Sequence, residues 1–314
     1  MIIDYLIIMI NKQNKKIVYN PKYHRQDQHD IGLGKNLYQR FRYGLIKRHF
    51  YYLTSSFRTL PNFFVIGGVR CGTTSLYHYL GQHNCIKQAM YDELGYFDDN
   101  FHLGLNWYRS LFPTKFTQKK IESECKKFLT YDVTPFYIYN PLVVDRIFKF
   151  SPNAKIIAVL RNPIDRAYSN FNNRIQDEGD TETTFEEIVY PEIEKIENNE
   201  NNQENNGYLV NEFYDLDLAR GFYAKQLKFW FEKFPRKNVF LTSSEELATN
   251  TDKTISEIFE FLEVPNQKIS DLTKQNERKY PRMKDSTRNT LINFYKPYNE
   301  KLFGMLDSKF DWDK

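Results

Sequence analysis

A doubly wound, mainly parallel α/β sheet is the architecture this sequence predicts, and three observations predict it. Short apolar runs such as FFVIG (63–67) and KIIAVL (155–160) alternate with longer amphipathic segments, as in strand–helix units that stack into a parallel sheet. A glycine-containing stretch, GGVRCGTTSL, joins the first of these strands to a helix. Two later helices open on proline, at Pro141 and Pro163, where the missing N–H is tolerated.

Each element follows in order. Residues 1–60 read as a basic, aromatic extension, irregular or helical, and residues 61–314 as the domain proper. FFVIG is a buried strand, and TTSLYHYLGQH (73–83) a helix with Leu76, Tyr79 and Leu80 on one face. FLTYDV (128–133) is a second strand and PLVVDRIFKF (141–150) a helix. KIIAVL is a third strand and PIDRAYSNFNNRI (163–175) a helix. GFYAKQLKFWFEKF (221–234) is strongly amphipathic, NVFLT (238–242) is a strand, and helices near 251–263 and 285–306 end the chain. The Asn-rich stretch IENNENNQENNG (196–207) predicts a mobile or disordered loop. Trp107, Tyr108 and Phe112, at helical spacing, read as core.

The chain has 314 residues, 41% hydrophobic and 27% charged, which suits a globular domain and excludes disorder throughout. The net charge of +4 names no partner, nucleic acid included. Its distribution says more, since residues 1–60 carry 11 Lys/Arg against Asp4, Asp27 and Asp30. The mixed aromatic and basic stretch NLYQRFRYGLIKRHFYYL (36–53) packs on the domain or meets a membrane surface peripherally. The opening MIIDYLIIMI is too short to span a bilayer. Cys71, Cys85 and Cys125 form no C-x-x-C pair, which argues against a disulfide framework and fits a reducing, cytoplasmic setting.

The chemistry starts at the loop. Gly67 and Gly72 stand at the G-x-x-x-x-G spacing at which backbone N–H groups turn towards an anion, and the helix behind adds partial positive charge. Thr73, Thr74 and Ser75 offer hydroxyls in its first turn. A nucleotide triphosphatase needs lysine where Thr73 stands. Here the cation is Arg70, inside the loop, which suits one phosphate beside a sulfonate and needs no metal. Cys71 reads as a small loop residue, not a nucleophile. After the third strand, Arg161-Asn162-Pro163 opens a helix carrying Ser169. Arg161 falls at a strand's carboxyl end, where open α/β sheets bind ligands. It can fork onto a second phosphate while Ser169 donates a hydroxyl.

GGVRCGTTSL and AVLRNPIDRAYSNF resemble the two segments with which sulfotransferases bind 3′-phosphoadenosine 5′-phosphosulfate. The chain is most similar to the heparan sulfate N- and 3-O-sulfotransferase-like carbohydrate sulfotransferases. YDELGYFDDNFHLGLNWYRSLFP, DVTPFYI, RGFYAKQLKFWFEKFP, ERKYPRM and KLFGMLDSKFDW resemble further segments of that family, in the family's order. The resemblance implies the sulfotransferase variant of the P-loop fold, a phosphosulfate site at Arg70, Cys71, Gly72, Thr73, Thr74 and Ser75, and a 3′-phosphate site at Arg161 and Ser169. It makes Arg278, Lys279 and Tyr280 part of a late loop over the nucleotide and Glu93 the catalytic base, with Asp92 as the alternate and Asp98 a weaker acceptor contact. It implies a carbohydrate or glycolipid acceptor. Two departures stand out. Arg70 replaces a lysine common in the family, and Gly95 replaces a histidine two residues after the glutamate.

Two other readings remain open on the residues alone. One is a P-loop kinase-like enzyme using ATP and Mg²⁺, with Asp132 as its metal carboxylate. The other is a domain that binds nucleotide or glycan without catalysis.

Overall fold

The computed structural model describes residues 48–180, 182–201, 216–275, 278–306 and 309–312. The expectations for MIIDYLIIMI, for residues 36–47 and for residues 202–207 lie outside them.

The elements run α1 (Arg48–Leu53), β1 (Phe63–Gly67), α2 (Thr73–Leu80), β2 (Ile86–Gln88), α3 (Gly104–Arg109) and α4 (Lys115–Cys125). Then come β3 (Leu129–Val133), α5 (Pro141–Phe150), β4 (Lys155–Leu160), α6 (Pro163–Glu178) and α7 (Phe185–Asn201). The last are α8 (Tyr223–Lys233), β5 (Val239–Ser243), α9 (Ser244–Thr249), α10 (Thr251–Leu262) and α11 (Asp285–Leu306). The strands form one sheet in the order β2-β3-β1-β4-β5, every neighbouring pair parallel. This is the doubly wound sheet the alternation predicts. From β1 the chain moves outward on one side to β2 and β3, then crosses to β4 and β5. The crevice at the carboxyl ends of β1 and β4 is therefore the switch point, where such sheets take ligands.

Both faces of the sheet are covered, and the period of two along the strands divides the core. Phe64 and Ile66 of β1, with Ile156, Ala158 and Leu160 of β4, pack towards Val144 of α5 and Trp230 of α8. Phe63, Val65, Ile157 and Val159 face the other way, onto Leu76 and Leu80 of α2 and Ile258 and Phe259 of α10. A third cluster joins α6, α7 and α11 through Phe171, Val189, Ile196 and Tyr295. The segment before β1 is tied to the domain, since Arg58 NH1 donates to the Phe112 carbonyl at 2.8 Å and the Thr59 amide to that of Pro113 at 2.9 Å.

The expected loop at 196–207 starts too early. Helix α7 runs to Asn201, and Ile196 is completely buried. Phe185, Val189 and Ile196 share one helical stripe, and their burial outweighs the polar asparagines around them. Polar composition concealed the apolar stripe. The three-residue β2 and the polar helix α4 also carry too little apolar periodicity to be predicted. Elsewhere the ends shift slightly, α2 stopping at Leu80 and α6 running on to Glu178.

Trp107, Tyr108 and Phe112 are buried, as expected of core. Tyr108 also donates to Asp132 Oδ2 at 2.7 Å; Tyr137 donates to the same oxygen at 3.0 Å, and Thr134 Oγ1 to Oδ1 at 2.8 Å. Asp132 is fully buried. Asp132→Ala strands three buried hydroxyls, and is expected to cost on the order of 3–5 kcal/mol of unfolding free energy. Urea denaturation measures it. A loss below about 1 kcal/mol would mean the network stabilises nothing net.

Candidate active site

The phosphate loop begins where β1 ends. Gly72 has φ 89°, ψ 16°, a left-handed conformation that suits glycine, and it stands at the N-cap of α2. Behind it Thr73 and Ser75 are buried and Thr74 is half-buried. Ser75 Oγ accepts the Gln275 amide at 2.9 Å. Cys71 turns away from the cleft. Its amide closes a turn onto the Gly68 carbonyl at 3.1 Å, and its thiol packs inside, 4.0 Å from the Tyr223 hydroxyl. Burial pushes that thiol up to about 12, so it is inert as a nucleophile. Cys71 therefore shapes the loop through its turn and its packing.

The two halves expected from the sequence meet here. Arg161, just past β4, donates through NH1 to the Arg70 carbonyl at 2.9 Å. Arg70 Nε reaches Ser169 Oγ on α6 at 3.4 Å. Asn162 between them caps α6, its side chain accepting the Ile164 amide at 3.0 Å. Arg70 is partly buried; that burial, and then the like charges of Arg278 and Arg161, hold its pKa below the ordinary arginine value. Three guanidinium groups converging on one loop make a site that an anion would relieve.

Described residues of the late segment contact both sides of the crevice. On the α2 side, Leu272 O accepts from the Tyr79 hydroxyl at 3.0 Å and Gln275 holds Ser75. On the α6 side, Arg278 pairs with Asp177 at 2.8 Å, Tyr280 packs edge-on against Tyr168 at 5.5 Å, and Pro281 O accepts from the Tyr168 hydroxyl at 3.0 Å. Lys279 is exposed, and its carbonyl accepts from Gln176 at 3.2 Å.

Glu93 lies on the same edge. Its amide donates to Val133 O, the last residue of β3, at 2.6 Å, and β3 lies beside β1. Among the described non-glycine residues four have positive φ: Arg70 (70°), Glu93 (54°), Lys126 and Glu263. The last two are helix C-caps, where a left-handed residue is ordinary. Arg70 and Glu93 end no helix. Backbone strain confined to them is what functional positions show when the surrounding fold over-determines them. Thr134 holds the turn after Glu93, its Oγ1 accepting the Gly95 amide at 3.3 Å. Asp98 is buried, and Asp92 half-buried.

Several contributors have no local signal in the sequence. The Tyr139 hydroxyl accepts the Val69 amide within the loop at 2.9 Å, and Tyr223 donates to the Arg161 carbonyl at 2.9 Å. Each acts across more than sixty residues of chain. Among the described residues no group of three or more His, Cys, Asp or Glu side chains could hold a metal ion. None of the described helices is long and apolar enough to cross a membrane.

A parallel α/β sheet with a glycine-containing, cationic loop after β1 and a second cationic strand end after β4 defines the class. Residues 60–301 match the sulfotransferase domain, and the chain belongs to that family. It is 26% identical over 321 residues to the membrane-associated sulfotransferase kil1 of Dictyostelium discoideum, covering 81% of this chain and 66% of that protein. It is 25% identical over 280 residues to the mouse heparan sulfate glucosamine 3-O-sulfotransferase 3A1, covering 82% of this chain and 65% of the relative. It therefore spans about two thirds of these relatives' length. Among solved structures, a sulfotransferase from Alicyclobacillus acidocaldarius superposes with a TM-score of 0.62 at 25% identity, covering 82% of this chain and 100% of that one.

Proposed function

We propose that this chain transfers a sulfuryl group from 3′-phosphoadenosine 5′-phosphosulfate to a hydroxyl or amine of a carbohydrate or glycolipid. The observation that carries this is the junction of Arg70, Arg161 and Ser169: two cationic strand ends, after β1 and after β4, linked through Arg70. A donor with a phosphosulfate at one end of the nucleotide and a 3′-phosphate nearby fits that pair. The heparan sulfate relatives support a carbohydrate acceptor.

In the reaction the acceptor oxygen or nitrogen attacks sulfur in line, and the bond from sulfur to the bridging phosphate oxygen breaks. Glu93 takes the acceptor's proton, and Arg70 with the loop amides stabilises the charge left on phosphate. Alignment is the rest of the catalyst, as in phosphoryl transfer. An ATP- and Mg²⁺-dependent reading has less support, because the oxygens of Asp132 already accept three buried hydroxyls.

Calorimetry tests the donor site. Adenosine 3′,5′-bisphosphate is expected to bind without Mg²⁺, and Ser169→Ala to weaken it by on the order of 1.5 kcal/mol, leaving adenosine 5′-phosphate nearly unaffected. Equal weakening of both ligands would remove Ser169 from the 3′-phosphate site.

Peripheral membrane contact through residues 36–53 belongs to the same reading. Tyr52 and Leu53 of α1 and the nearby Phe57 are exposed apolar side chains next to that basic stretch. Salt-sensitive cosedimentation with anionic vesicles is expected, and its absence would leave residues 36–53 a packing role alone.

A further inference from the structure

Arg166 is the largest charged side chain in the interior and lies completely buried, five residues after Arg161 on α6. It sits directly behind the phosphate loop. A Cβ on Gly68 would come within 3.4 Å of both Arg166 Cδ and the Tyr223 hydroxyl, so these two side chains form the floor beneath the loop. The neighbouring hydroxyls bond that loop and the next strand end, Tyr139 accepting the Val69 amide and Tyr223 donating to the Arg161 carbonyl.

The guanidinium is only partly satisfied by hydrogen bonds. NH2 donates to the backbone carbonyl of Asp217 and the Tyr295 hydroxyl interacts with the group, while Nε and NH1 have no well-formed hydrogen bond among the described residues. Burial works against its charge, but Tyr139, Asp217, Tyr223 and Tyr295 outweigh that and hold its pKa above the ordinary arginine value. The nearby carboxylates, which support its charge, also serve other partners. Asp217 accepts from Asn170 at 2.8 Å and lies 3.5 Å from Arg220, and Glu192 caps the amides of Asp217 and Leu218. Burying a cation is expensive even with counter-charges nearby, and an apolar side chain of similar length would fill the space at less cost. Guanidinium does not shed its proton to escape that cost. A charge kept in this position, directly behind the loop, also acts on an anion at the other side of the loop wall, where low dielectric lets the attraction persist.

We propose that Arg166 is a positioning residue for the anionic donor: a fixed buried cation behind the phosphate loop that strengthens the hold on phosphate and sulfonate without touching them. The proposal rests on the donor reading above. It differs from a packing role because it depends on the ligand's charge.

Titration calorimetry with adenosine 3′,5′-bisphosphate and with uncharged adenosine separates the two. Arg166→Met is expected to weaken the bisphosphate by about tenfold or more and adenosine by less than about twofold. Arg166→Lys, which keeps the charge, should recover most of the loss. Asp217→Asn removes a negative charge beyond the guanidinium and should tighten the bisphosphate by about two- to fivefold. Equal losses for both ligands in Arg166→Met, or a lysine variant no better than methionine, would overturn the proposal in favour of packing. Should the methionine variant fail to fold, Asp217→Asn decides: unchanged or weaker bisphosphate binding rejects the long-range charge. Failure of the wild-type protein to bind bisphosphate would instead reject the donor reading.

Discussion

Glu93→Gln is expected to lower the rate of sulfuryl transfer by roughly 10²–10⁴, the usual worth of a positioned general base. Affinity for adenosine 3′,5′-bisphosphate should remain within about twofold, because Glu93 follows β2 and α2 in the chain and takes no part in the loop proposed to meet phosphate. The substitution is close to isosteric. The backbone that carries Glu93 is held independently of its side chain, by its amide on Val133 and by Thr134 beneath Gly95. A rate loss would therefore report the carboxylate and not a displaced loop. Single-turnover kinetics with saturating donor measure it. Activity near wild type would move the base to Asp92, and a loss confined to donor affinity would make Glu93 part of the nucleotide site.

The candidate donor site was legible in the sequence because its parts are contiguous. Strand, Gly67, Arg70, Gly72 and the helical hydroxyls lie within about a dozen residues, and Arg161 and Ser169 lie within ten. Local order fixes such geometry, so periodicity and glycine spacing are enough to read it. The sheet was legible for the same reason, through the long apolar runs of β1 and β4. What escaped depends on contacts between distant segments. Tyr139, Arg166 and Tyr223 come from three separate elements and meet only after the sheet has closed. A tyrosine in an apolar stretch reads as core whether or not its hydroxyl holds a catalytic loop. Helix α7 escaped for a different reason: its glutamates and the asparagines of its last turn dominate the composition, while few of its side chains, on one stripe, are buried.

Arg70→Ala should damage donor binding and rate together. The loop keeps its shape in this variant, because Arg161 grips the Arg70 backbone carbonyl and not its side chain. The guanidinium is what is lost, along with its contact to Ser169. Removing one charge-assisted contact should cost about 1.5–3 kcal/mol of bisphosphate binding. A further loss of roughly 10²–10³ in kcat should follow from the missing charge on the leaving phosphate. Arg70→Lys gives the sharper result. It restores the residue common in the resembling family and should recover much of the rate at neutral pH. It should also introduce a pH dependence absent from the wild type. Burial and the charges of Arg278 and Arg161 already pull the Arg70 pKa down, and a lysine there meets the same pressures from a lower starting value. Its ammonium form, which stabilises the leaving group, prevails below its pKa and disappears as pH rises through it. The wild-type guanidinium stays charged throughout. The Lys variant's rate should thus fall in the alkaline range while the wild type's holds. Parallel alkaline profiles for the two proteins would show that the charge at position 70 does not act on the departing phosphate.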